Sequence, residues 1–124
     1  MDEYLHKKII EIPIYKGTFI IVFSNSKNKV NELTGISSNN IYAHAVDGTY
    51  KNKQAFFIIL NFDNKYDKIT HGVINHEIIH ICHFIFEKRD IILSYDNDEP
   101  ITYLAEYLTN EVYKYINQLN FKVH

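Results

Sequence analysis

Two histidines four residues apart enclose a glutamate in the run His76-Glu77-Ile78-Ile79-His80. On an α-helix, residues at that spacing stand one above the other on the same face. Two imidazoles so placed can reach one metal ion from a single rigid element, and zinc suits this donor set. Glu77 adjoins the first histidine, where a carboxylate can face water at the metal. Zinc lowers the pKa of such water, and the glutamate can take its proton. The chemistry this trio supports is metal-assisted hydrolysis, with His76 and His80 as ligands and Glu77 as general base.

A catalytic zinc usually has three protein ligands. One solution is a further histidine ten positions after the first, with a glycine between. Here that position is Phe86, and no glycine follows His80 nearby, so this class is excluded. The other solution is a glutamate from the next helix. Glu99 lies 19 positions after His80 and Glu106 lies 26 after it, and at that separation the two share a helix face. His83, one turn after His80, is a further candidate, as a ligand or as an electrophile. Tyr103, one turn after Glu99, could donate its phenolic proton to a tetrahedral intermediate.

These residues resemble the gluzincin-type zinc metallopeptidases, and more closely the small peptidase-like proteins of phage and prophage genomes. Those carry His-Glu-x-x-His on one helix and then a helix opening Glu-x-x-Ala-Tyr-Leu. The match here is Glu99-Pro100-Ile101-Thr102-Tyr103-Leu104, with Thr102 in place of the alanine, and it covers about residues 70–110. The resemblance implies a zincin-like fold, a bound zinc, Glu99 rather than Glu106 as third ligand, and a peptide or protein substrate. It also implies that the strand before the helix, residues 55–62, lines the cleft and offers its edge to an extended peptide. A zinc protein without turnover, acting by binding a partner, is the other reading these residues support.

The elements that must position them follow from hydropathy. Residues 9–15 and 18–23 read as a hairpin turning at Lys16-Gly17, with Pro13 marking the first strand as an edge. Ser26 caps a short helix that Gly35 ends. Residues 41–47 and 54–62 read as a second hairpin turning through 48–53, its second arm apolar enough to be a buried strand. From about Lys68 to Lys88 the period is helical and apolar nearly all round, which predicts a buried helix. Asp98-Glu99-Pro100 opens a last helix running to about Leu119. The expectation is an α+β fold in one domain over residues 1–124. A small antiparallel or mixed sheet of about four strands packs on the histidine-bearing helix and the C-terminal helix.

Composition narrows the function classes. The 124 residues are 46 % hydrophobic and carry a net charge of -2, with no long basic run, which speaks against a phosphate-dominated nucleic-acid partner. No apolar run approaches the roughly 20 residues that span a bilayer. The single cysteine, Cys82, and a start without an apolar core point to a reducing, cytoplasmic setting.

Overall fold

A computed structural model describes residues 2–37, 42–92 and 98–124, with only the backbone of Asp98 and Glu99. The element order is β1 (Leu5–Glu11), β2 (Thr18–Ser24), α1 (Lys27–Thr34), β3 (Ala43–Tyr50), β4 (Lys53–Leu60), α2 (His71–Lys88) and α3 (Asp98–Gln118). The strands form one mixed sheet in the order β1-β2-β4-β3. β1 and β3 run antiparallel to their neighbours, while β2 and β4 pair in parallel. The fold is therefore α+β, as expected.

Side chains alternate between the two faces of a strand, and β2 and β4 use both. Phe19, Ile21, Phe23, Phe56, Ile58 and Leu60 point into the main core, where they meet Ile74, Ile78, Ile81 and Ile85 of α2 and Leu108 and Val112 of α3. Their neighbours Ile20, Val22, Phe57 and Ile59 pack on the opposite face with Val30 of α1. Two central strands buried on both sides explain why these segments read as unbroken apolar runs. The Ser26 side chain accepts from Lys29 N, and Gly35 closes α1 at φ 72, both as predicted.

Four expectations need correction. β1 ends at Glu11 rather than Tyr15, because Pro13 has no N–H for the ladder. Ile14 and Lys16 take φ of 67 and 59, and Tyr15 N donates to Pro13 O at 2.6 Å, so residues 12–17 form the loop. The second hairpin turns at Lys51-Asn52, with φ of 51 and 64. That is the two-residue turn whose twist matches the strands, and Gly48 stays inside β3, opposite Ala55. β4 is flanked by β2 and β3, so it has no free edge for a peptide, and the sheet edges are β1 and β3.

The last correction concerns α2. It starts at His71, capped by the Thr70 hydroxyl, which accepts from Val73 N at 3.1 Å. It is not buried all round: His76, Ile79, His80 and His83 are exposed. The sheet covers one flank of α2 and α3 covers another, which leaves a third open.

This two-sidedness predicts contrasting effects of adjacent truncations. Ile78 is fully buried, whereas Ile79 is 37 % exposed. In urea denaturation Ile78→Ala should lose about 2–5 kcal/mol, and Ile79→Ala should stay within about 0.5 kcal/mol of the parent. Equal losses would contradict the placement of α2.

Candidate metal centre

The isoleucine stripe decides where the histidines go. Ile74, Ile78, Ile81 and Ile85 recur at spacings of four, three and four, and all are buried. Each residue of an α-helix turns about 100°. His76 and His80, each two residues from Ile78, therefore both point about 160° away from it. Pinning the stripe on the sheet drives the two rings outward together, about 40° apart.

Their geometry suits a shared ion. The two Nε2 atoms are 3.1 Å apart, and the rings stand at 76° with centroids 4.7 Å apart. Two nitrogens about 2.0–2.1 Å from a tetrahedral zinc would be about 3.3 Å from each other. A nitrogen of each ring and a carboxylate oxygen of Glu77 all lie within 4.8 Å of one another. The same nitrogen separation fits an N–H···N hydrogen bond between two neutral rings, and neutral rings are also what a metal requires.

Glu77 differs from both histidines in burial. It is 9 % exposed, because its direction from the helix axis leads toward the start of β3. Among the described residues no hydrogen bond or ion pair reaches its carboxylate. Its carboxylate faces the hollow beside His76, where a cation or water can reach it.

Two hollows flank His76. One, of about 410 Å³, is lined by Gly72, Asn75, His76, Ile79, His80 and His83. The other, of about 350 Å³, is lined by Tyr42, Ala43, Gly72, Val73, His76 and Glu77. The Tyr42 hydroxyl donates to Lys68 O at 2.8 Å. Burial raises its pKa, and the negative charges of Asp67 and Glu77 add to the effect. Sequence reasoning missed Tyr42, and no local signal marks it: it stands 34 positions before His76 and joins the site only through the sheet.

Of the other predicted residues, His83, Tyr103 and Glu106 are not brought into this group, and His71 turns away from it. The His71 ring lies parallel to that of Tyr113 of α3, its Nδ1 2.5 Å from the hydroxyl. His71 points about 140° away from His76 and 180° from His80, so α3 packs on the flank of α2 remote from the pair. α3 runs antiparallel to α2, since Tyr15, against Phe86 near the end of α2, also lines a hollow with Pro100 and Tyr103 near the start of α3. Tyr103 is 68 % exposed in that apolar hollow of about 380 Å³, with Pro13, Ile14 and Tyr107, and lines neither hollow beside His76. Glu106 is exposed on α3, outside the group formed by His76, Glu77 and His80. The Glu99 side chain lies outside the described residues. His83 shares the first hollow but not the cluster of ligand atoms. Cys82 is fully buried on the core side, as its helix position predicts, and burial pushes its thiol up to about 12.

Compared with known proteins, the chain matches no family model, no curated protein and no solved structure. Among the described residues no helix is long and apolar enough to cross a membrane. The site's own geometry therefore carries the functional reading.

Two measurements test this description. After dialysis against zinc, elemental analysis should find about one ion per chain in the parent and in His83→Ala. His76→Ala and His80→Ala should lose it. Zinc retained in both of those variants, or lost in His83→Ala, would contradict the ligand pair. A thiol raised to about 12 stays protonated at pH 8, and only the thiolate is nucleophilic. Cys82 should resist iodoacetamide in the folded protein and react once it is unfolded. Rapid labelling of the folded chain would place Cys82 elsewhere.

Proposed function

We propose that this chain is a zinc-dependent hydrolase of peptide bonds with a zincin-like site, in which His76 and His80 hold the ion and Glu77 is the general base. The observation that carries the reading is the convergence of both Nε2 atoms at 3.1 Å, with a Glu77 carboxylate oxygen within 4.8 Å of a nitrogen of each ring. Bound zinc supplies a Lewis acid that polarises a carbonyl and lowers the pKa of water. Glu77 takes the proton of the attacking water as the tetrahedral carbon forms. It then delivers that proton to the leaving amine as the C–N bond breaks.

The third ligand in this reading is Glu99, on the resemblance of the segment Glu99 to Leu104 to the helix opening of gluzincin-type peptidases; because α3 opens near the end of α2, ligation by Glu99 requires that helix start to approach the pair. Tyr103 was the phenol expected to donate to the intermediate, but it lines a different hollow. Tyr42 is the phenol beside Glu77, and it would take that role only by releasing its hydrogen bond to Lys68 O. The proposed substrate is a peptide or protein held in the hollows beside His76.

A second reading has its own support. Glu77 lies within the same 4.8 Å cluster as the two imidazoles, so it can ligate the metal itself. A ligating Glu77 is no longer available as a base, and the chain would then bind zinc without turning over peptides.

Glu77→Gln separates the two. The hydrolase reading predicts unchanged zinc content and a fall in peptide cleavage of at least about 10²–10⁴-fold, read on a fluorogenic peptide library. Lost zinc in that variant would establish Glu77 as a ligand, and undiminished cleavage would remove it from the chemistry. Glu99→Ala should weaken zinc retention against a chelator by about 10-fold or more, in line with the loss of one of three ligands. Retention equal to the parent would exclude Glu99.

A further inference from the structure

Gly72 stands in the first turn of α2, one turn before His76, and the fold gives no reason for it. Gly17 and Gly35 adopt φ of 101 and 72, conformations that side chains rarely tolerate. Gly72 has no such φ. A Cβ built there would meet only the Thr70 Oγ1, at the ordinary contact distance of 3.8 Å. Alanine would fit, and alanine is the better helix former. The sequence thus keeps a helix-weakening residue at a place where the protein's own packing does not require one.

What Gly72 does adjoin is the candidate site. Among the described residues it is the one besides His76 that lines both hollows. Residues four apart share a helix face, and helical side chains lean back over the preceding turn. The ring of His76 therefore overlies the turn where Gly72 leaves a gap. Glycine at such a place permits close approach of a ligand to the backbone.

We propose that Gly72 is a substrate-contact position: its missing side chain joins the two hollows into one cleft, across which the main chain of a bound peptide lies against the backbone of α2. The chemistry of the walls selects the peptide. Tyr42, Ala43 and Val73 line one side and Ile79 the other, with Asn75, Glu77 and His83 as polar neighbours and, among the described residues, no lysine or arginine in either hollow. The cleft thus takes an extended segment with apolar side chains and no acidic ones. This inference rests on the reading of His76, Glu77 and His80 as a hydrolytic metal centre.

The test uses the cobalt(II)-loaded protein and follows the visible absorption of the metal. Two probes are compared: acetohydroxamate, which reaches only the metal, and the hydroxamate of benzyloxycarbonyl-glycyl-leucine, which must also occupy the cleft. Parent, Gly72→Ala and Gly72→Leu should bind acetohydroxamate with equal affinity. The peptidyl probe should weaken progressively, by about 10-fold or more in Gly72→Leu, the response of a filled space to an added side chain. The melting temperature of Gly72→Ala should equal or exceed that of the parent, which separates a contact role from a structural one. If Gly72→Leu fails to fold, the loss of peptidyl affinity in Gly72→Ala decides. Equal peptidyl affinity in all folded variants overturns the cleft while leaving the metal centre standing. Weakened acetohydroxamate binding in the variants assigns Gly72 to the metal geometry and also overturns it. A parent that takes up no cobalt, or does not respond to acetohydroxamate, overturns both readings.

Discussion

The burial of one isoleucine stripe governs the candidate site. Ile74, Ile78, Ile81 and Ile85 lie in the main core with the sheet and α3, and burial of such side chains contributes about 1.5–3 kcal/mol each. Once that stripe is fixed, the helical period leaves no freedom in the direction of His76 and His80. The rings meet at 3.1 Å because the core has already chosen the rotation of the helix. A metal site on this element needs no strained loop, and its precision comes from apolar packing on the far side of the same helix.

The sheet supplies what α2 alone lacks. Parallel pairing of β2 with β4 makes these two strands the centre of the molecule and leaves β3 at an edge. The residues that lead into β3, Tyr42 and Ala43, come to lie beside Val73, His76 and Glu77. Glu77 is thereby buried while its two neighbours in the cluster stay exposed. A largely buried glutamate next to two solvent-facing imidazoles makes a two-sided site, open on one side and walled on the other by the sheet edge.

Much of this arrangement was legible in the sequence, and the exceptions have physical causes. The His-Glu-x-x-His spacing, the caps at Ser26 and Gly35, and the start of α3 at Asp98 are local signals, and local signals suffice for local geometry. Pro13 marks an edge strand, which β1 is, but its missing N–H also ends that strand at Glu11, earlier than the alternation suggests. Gly48 drew the second turn toward itself, whereas Lys51 and Asn52 adopt the positive φ angles. The apolar run around α2 suggested burial on every side, yet which flank stays open depends on where α3 packs. Tyr42 shows the same limit most plainly, since its place beside Glu77 is a product of sheet order.

Zinc ligation by the imidazoles of His76 and His80 is the central claim, and X-ray absorption at the zinc edge of the loaded protein tests it most directly. The account predicts two imidazole nitrogens at about 2.0–2.1 Å, with the remaining positions filled by oxygen and no sulfur in the first shell. Removal of the imidazole scattering in His76→Ala would tie the signal to this helix. A spectrum showing oxygen ligands alone, or one unchanged by loss of His76, would contradict the account.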